Sequence, residues 1–330
     1  MNANSYSSPG TTGGNRESLD GKLTILEPEE TPFVSMVRKT GARATLEECV
    51  ADRLRAPRTT GTREGESGPK GGNKAVKRQR FGAYLHRFMD TFGVSDVQQA
   101  VSEAGGTATT DDEYADAKMK AVREVKRDME AACSSDIETN GANDDAMTLR
   151  GAFKWLAATQ TPQIPTDFIT PAAQRVTGLA TILESSLTGI LKSLKSQYGG
   201  SRQFEAIMGN DYVEDIDGFT RTGDGGTTLT RYKVEETGKP HEINMIVRVF
   251  ASSFGRMVVH PSDFVKVDAS GVGDPDAGLI LNMDLWELKM LEPLHSKDDP
   301  EDAGGQSGYV KAIGGLFCRM PRGNASLYNS

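Results

Sequence analysis

This sequence is short of the groups on which most enzymes and secreted proteins depend. Its three cysteines, Cys49, Cys133 and Cys318, are an odd number with no close pairing, which excludes a disulfide framework. Ordinary buried thiols in a reducing, cytoplasmic compartment are expected. The four histidines, His86, His241, His260 and His295, include no i, i+4 pair, so each reads as a strand or loop residue rather than a metal ligand. No apolar run approaches the roughly 18 residues of a membrane span. Met1–Asn15 is Ser, Gly, Asn and Thr in place of an apolar signal core, a flexible tail.

Catalytic motifs are missing as well. There is no G-x-x-x-x-G-K-[ST], H-E-x-x-H, C-x-x-C or G-x-S-x-G. Gly223-Asp224-Gly225-Gly226 lacks the strand-before, helix-after setting of a dinucleotide loop. Asp211, Asp215 and Asp217 miss the ligand spacing of a helix–loop–helix calcium site and read as a solvated acidic turn. No catalytic, cofactor-binding or metal-binding residue is assigned, and the expectation is a protein that is not an enzyme.

What is present is a separation of charge. Ten basic residues lie between Arg53 and Arg87, opposed only by Glu64 and Glu66, for a local charge of +8. The whole chain carries −8, which leaves −16 on everything else. From Pro57 to Lys74 there is no aliphatic or aromatic side chain, while five glycines loosen the backbone. Such a segment has no apolar surface to offset the entropy of ordering it. It needs a partner. The −16 remainder argues against a chain that coats nucleic acid, and the loop tip has no aromatic residue to stack on bases. A nucleic-acid-binding protein gripping phosphate with this loop is the alternative, followed by an enzyme with an unfamiliar site.

At 330 residues, two cores or one core with large insertions are expected. Thr31-Pro32-Phe33 opens a helix with Pro where its missing N–H costs little, and Gly41 is its stop. Alternation through Leu46, Glu48, Val50, Asp52 and Leu54 predicts a half-exposed strand. Past the polar loop, Phe81, Ala83 and Leu85 point one way and Tyr84, His86 and Phe88 the other, so the whole is a long hairpin. Thr110 to Glu113 forms a capping box for a helix ending at Asn140-Gly141, a spine of roughly 40 Å at about 1.5 Å per residue. Its stripe is Ala115, Met119, Val122, Val125, Met129, Ala132 and Ile137. A second helix starts at Thr181 with Ile182, Leu183, Leu187, Ile190, Leu191 and Leu194 on its face. Mostly strands follow: Phe204 to Met208, Ile243 to Val249 paired with Met257 to Val259, Leu279 to Leu281, Leu285 to Leu294, and Tyr309 to Met320 ahead of a polar end.

Taken in order, these pieces resemble the major capsid proteins of tailed bacteriophages, specifically the group like that of phage SU-ten. Glu30-Thr31-Pro32-Phe33 looks like the segment that follows the family's N-terminal arm. Glu48, Asp52 and Leu54 look like its entry to the extended loop, with Cys49 where an aromatic residue is expected. Glu124 to Glu130 resembles the middle of the long helix, Gly151 to Leu156 its Gly-x-x-x-Trp, and Gly255 with Met257 to Val259 and Asp284 to Leu288 the later strands. The resemblance implies an α+β, tailed-phage major capsid fold (the Johnson fold). Its parts would be an N-terminal tail and arm (1–44), an extended loop (45–94), a peripheral domain (95–177) with a spine helix (110–140), an axial domain (178–284) and a C-terminal segment returning to the peripheral domain (285–330).

It further implies subunits forming pentamers and hexamers of an icosahedral shell around double-stranded DNA, assembled in the host cytoplasm and found in the virion, without a membrane. Portal, scaffolding and decoration proteins are the expected further partners, with DNA held non-specifically on the inner face. The segment before Leu23 is too short for a built-in scaffolding domain, and no motif marks a partner for a lysine crosslink, so none is expected. Arg58, Arg63, Lys70, Lys74, Lys77 and Arg78 are the expected inter-subunit contacts.

Overall fold

A computed structural model describes residues 31–52, 59, 61, 63–65, 78–97, 113–141, 146–197, 202–219, 249–267, 271–300 and 304–329. In chain order the elements are α1 (Pro32–Met36), β1 (Arg38–Gly41), β2 (Leu46–Ala51), β3 (Gln79–Tyr84), β4 (His86–Val94), α2 (Glu113–Cys133), α3 (Ala152–Leu156), β5 (Arg175–Thr177), α4 (Glu184–Gln197), β6 (Gln203–Met208) and α5 (Asn210–Gly218). After them come β7 (Val249–Ser252), β8 (Gly255–Pro261), β9 (Ala277–Leu281), β10 (Trp286–Asp298), β11 (Gln306–Cys318) and β12 (Ala325–Tyr328). The strands make a four-stranded sheet in the order β1-β10-β11-β4, a six-stranded sheet in the order β5-β12-β9-β6-β8-β7, and the two-stranded ribbon β2-β3. The chain divides into two units: residues 1–27, 91–122 and 296–310, and residues 28–90, 123–295 and 311–330.

In the larger unit the six-stranded sheet carries a core that follows from period. Phe204, Ala206 and Met208 of β6 share one face with Met257 and Val259 of β8, Ile280 of β9 and Leu327 of β12, and against them pack Leu187, Ile190, Leu191 and Leu194 of α4. Every residue of β9 is buried, as a strand covered on both faces must be. On α5, Tyr212 and Ile216 are one turn apart and both join this core. The acidic turn expected at Asp211–Phe219 is therefore a helix: Asp211 sits in its first turn, where the helix dipole favours a carboxylate, and Asp215 accepts the Ile182 N–H at 2.8 Å. That bond holds Ile182 ahead of α4, so the helix begins at Glu184 rather than Thr181, and Leu183 is exposed instead of on the apolar face. The end of the chain also differs from expectation. Ala325–Tyr328 is a buried strand, parallel to β5 and antiparallel to β9.

The spine helix ends early. Ser134 Oγ donates to the Glu130 carbonyl at 2.9 Å and Ser135 Oγ to the Ala132 carbonyl at 2.8 Å, while the Ile137 N–H donates to Ser135 Oγ. These hydroxyls take over the helix's own hydrogen bonding, the usual behaviour of serine at a helix end. The described helix thus stops at Cys133, and Ile137 is exposed. Its buried stripe is Ala121, Val125, Met129 and Cys133 at strict spacings of four, and Met119 points to solvent. The capping box at Thr110–Asp112 lies outside the described residues. Helix α1 is likewise shorter than expected: it stops at Met36, and Gly41 ends β1 instead.

In the smaller unit, Tyr114 Oη donates to Asp298 Oδ1 at 2.9 Å, and Lys118 Nζ donates to the same oxygen at 2.8 Å. The Phe92 and Tyr114 rings lie 5.2 Å apart. Gly305, at φ +127, sits where a Cβ would strike the Val94 carbonyl.

Within the larger unit, one buried carboxylate fixes where the chain enters. Glu130 is fully buried; its Oε1 accepts the Phe33 N–H at 2.7 Å and its Oε2 the Val34 N–H at 2.8 Å, which satisfies two of the free donors at the start of α1. The Phe33 ring meets Trp286 edge-on at 6.0 Å. Burial pushes the Glu130 carboxyl up to about 7, against the two N–H groups that pull it down. The unfolded chain ionises this group near its ordinary value while the native state keeps the proton, so its contribution to stability is full below about pH 4.5 and is lost as the pH rises towards 7. The shift amounts to about 3 kcal/mol. Urea melts across this range are expected to show wild type losing stability relative to Glu130→Gln as pH rises, and parallel curves would contradict the assignment.

Candidate assembly interface

The basic segment is flanked in sequence by the two strands of a separate ribbon. β2 and β3 pair antiparallel from Leu46↔Tyr84 to Ala51↔Gln79, so the expected hairpin stem exists; most of residues 53–77, which connect the two strands, lie outside the described residues. The strand continues past Leu85 into β4, but there it pairs in the four-stranded sheet. This switch of sheets explains why Phe88, expected on the face opposite Phe81, is buried like Phe81, Ala83 and Leu85.

Three contacts hold the root. Gly82 crosses the Glu47 backbone so closely that a Cβ would collide with the Glu47 carbonyl. The Glu47 side chain takes the Arg43 N–H at 2.6 Å and the Ala44 N–H at 3.0 Å on Oε1, and Lys289 Nζ at 2.9 Å on Oε2. Burial opposes ionisation there, yet these donors together hold the Glu47 carboxyl below its ordinary value. Lys289 also lies 4.3 Å over the Phe317 ring. Deeper, Trp155 is the hub: its indole N–H donates to the Leu316 carbonyl at 3.0 Å, and its ring meets Phe81 of the stem and Phe317 edge-on. Gly151 precedes it where a Cβ would strike the Ser135 carbonyl, which gives the Gly-x-x-x-Trp spacing a steric cause. Arg150 stacks 4.6 Å over Trp155 and, fully buried, pairs with buried Glu138 at 2.6 Å.

Of the six residues expected to make contacts, Arg58, Lys70, Lys74 and Lys77 lie outside the described residues. Arg63 is exposed beyond the stem. Arg78 sits at the stem's outer end, 3.9 Å from Asp52, with both side chains more than half exposed. Next to it Arg80 pairs with Glu48. Exposed pairs of this kind contribute only about 0–1 kcal/mol. Among the described residues, the structure thus places Arg78 at the ribbon and Arg63 at an exposed position. Sequence reasoning missed Gly82, Glu47 and Lys289; a glycine inside an alternating strand is the signal that marks a close backbone approach.

Cys49 is half-buried on β2 and lines a cleft of about 450 Å³ with Phe168, Phe317 and Arg319. Burial raises its thiol to about 11, so it is no nucleophile at neutral pH. Among the described residues there is no group of three or more side chains able to hold a metal ion, and no helix is long and apolar enough to cross a membrane.

Solved structures share this architecture. The capsid of a native GTA particle superposes with a TM-score of 0.59 at 12% identity, covering 98% of this chain and 97% of that one. A structure from Mycobacterium phage Patience gives 0.55 at 13% identity, covering 92% and 85%. One from Microbacterium phage Oxtober96 gives 0.55 at 14%, covering 95% of each. No curated protein matches the chain. The shared fold is the α+β fold of tailed-phage major capsid proteins, the Johnson fold.

The sequence narrows this further. Residues 4–330 match the family described as SU10 major capsid protein, the SU-ten group named above, and the chain belongs to that family. It is a major capsid protein of a tailed-phage shell, a virion component that assembles with copies of itself. Neither the nucleic-acid-binding nor the enzymatic alternative finds support in these likenesses.

Because the ribbon depends on the Gly82 approach, Gly82→Ala is expected to cost about 1–3 kcal/mol locally. Hydrogen exchange is expected to show faster exchange across 46–51 and 79–84 with the six-stranded sheet unchanged. Unaltered protection at the stem would contradict the close contact.

Proposed function

We propose that the loop beyond β2 and β3 is an inter-subunit clasp, laid across the acidic surface of a neighbouring copy by Arg58, Arg63, Lys70, Lys74, Lys77 and Arg78. The observation that carries this reading is the mismatch between a firmly anchored stem and a tip, Pro57 to Lys74, with no apolar side chain, within a segment from Arg53 to Arg87 that carries +8 on a chain whose remainder is −16. Opposite-sign patches of this size govern encounter and register more than raw affinity. Assembly supplies the surface and counter-charge that the single subunit lacks.

On this reading residues 1–44 are the tail and arm, 45–94 the extended loop, 95–177 the peripheral domain, 178–284 the axial domain and 285–330 the returning segment. The copies form pentamers and hexamers of an icosahedral shell assembled in the host cytoplasm. Double-stranded DNA is enclosed and held non-specifically, a portal protein occupies one vertex, and scaffolding or decoration proteins join as the shell requires. The role is structural and not enzymatic, and the subunits are not covalently linked. Trypsin is expected to cut the free subunit between Arg58 and Lys74 within minutes and to leave assembled shells intact there. Equal cleavage in both would refute the clasp.

A further inference from the structure

The one Asn-Gly step in the sequence, Asn140-Gly141, has no part in the clasp. The residue pattern predicts it as the end of the spine helix, but α2 stops at Cys133 and leaves both residues outside any helix or strand. Asn140 is exposed, and Gly141 has a φ of +71. Glycine adopts that left-handed conformation without cost, and it brings no Cβ to shield its own backbone nitrogen.

The other described asparagines are placed differently. Asn210 opens α5 and its side chain donates to Asp263 Oδ1 at 2.8 Å. Asn282 and Asn324 are buried, and the Asn282 N–H donates to Asn324 Oδ1 at 2.8 Å. The Asn329 side chain donates to Asp276 Oδ2 at 3.1 Å. These four precede Asp211, Met283, Ala325 and Ser330, each with a Cβ beside the peptide nitrogen.

Ahead of Asn140, three contacts tie the chain to the Gly-x-x-x-Trp turn. The Ile137 carbonyl accepts the Gly151 N–H at 3.2 Å, Glu138 pairs with Arg150 at 2.6 Å, and the Thr139 carbonyl accepts the Thr148 N–H at 3.2 Å. The last of these ties lies directly beside Asn140.

We propose that Asn140 is a site of spontaneous deamidation. The Gly141 nitrogen loses its proton to hydroxide and attacks Cγ of Asn140. A new C–N bond forms, the Cγ–Nδ2 bond breaks, and Nδ2 leaves as ammonia after taking a proton from water. Water then opens the cyclic imide. Opening at the side-chain carbonyl gives aspartate, and opening at the main-chain carbonyl gives isoaspartate, in which the backbone runs through the former side chain. In sum one amide and one water become one carboxylate and one ammonium ion, with no oxidant or reductant. Isoaspartate lengthens the backbone by a methylene and adds a charge next to the Thr139–Thr148 bridge, which loosens it. Copies built into a shell are not renewed, so the change accumulates with the age of the particle.

Peptide mapping of aged protein tests this. Full-length protein, native or unfolded in urea, is held at physiological temperature and mildly alkaline pH and then digested with trypsin beside an unaged sample. The peptide Asp128–Arg150 also contains Asn143, so fragmentation assigns the site. Native protein is expected to convert at Asn140 nearly as fast as the unfolded chain, with isoaspartate among the products. That rate is expected to exceed those of the other described asparagines by about tenfold, the effect of roughly 1.4 kcal/mol in a barrier. Asn140→Gln, whose longer side chain closes a larger ring, is expected to stay unchanged there. Hydrogen exchange at the Thr148 amide is expected to quicken in aged wild type and not in aged Asn140→Gln. Conversion in urea alone would show that the fold protects Asn140 and would overturn the inference. Conversion in neither sample, or at Asn143 in place of Asn140, would overturn it too. Conversion with unchanged Thr148 exchange would overturn the loosening.

Discussion

A loop with nothing to bury can be ordered only where it is rooted, and the rest of the molecule is arranged around that constraint. From Pro57 to Lys74 no side chain offers apolar surface, so the ordering entropy must be met elsewhere. The body meets it at the stem. Gly82 lets two backbones cross, Glu47 gathers three donors beneath them, and Phe81 reaches down to Trp155. A rigid base with a charged, coreless end is what a subunit needs if its loop is to find a neighbour in a defined direction.

The same unit holds α1 by different chemistry. Glu130 ties α1 to the long helix through two backbone donors in a buried site, and Trp286 packs on Phe33 while its N–H donates to Asn324 at 2.9 Å. Burial moves the titration of the Glu130 carboxyl up to about 7. By contrast, Arg150 and Glu138 form a buried ion pair, and removing either partner of such a pair is a loss of about 3–5 kcal/mol. Helix α1 and the β2–β3 ribbon are thus held in the larger unit through contacts with different sensitivities.

Much of this was legible in the residues because it followed from period and charge. The alternation that places Phe81, Ala83 and Leu85 inward, the stripe through Val125 and Met129, and the buried β6 and β9 are all local patterns. What escaped were effects acting across the chain. Ser134 and Ser135 stop the long helix through side-chain hydrogen bonds that compete with the backbone, and no periodicity reveals that. Asp211 to Gly218 looked like a solvated turn because the burial of Tyr212 and Ile216 depends on a sheet assembled from distant segments. Ala325 to Tyr328 looked polar at its ends, yet it fills the slot between β5 and β9. Of the six basic residues picked from sequence, only Arg78 has a described place on the stem. Their selection rested on composition, which identifies a patch and not its geometry. The step to a capsid came from family likeness, which motif order carried where no single motif would.

The claim at the centre of this account is that the basic loop engages a neighbouring copy. A reconstruction of assembled shells by electron cryomicroscopy tests it most directly. The account predicts continuous density for residues 52–78 lying over the acidic surface of an adjacent subunit, with basic side chains facing carboxylates. Density for that loop directed into the shell interior towards packaged DNA, or folded back on its own subunit, would contradict it.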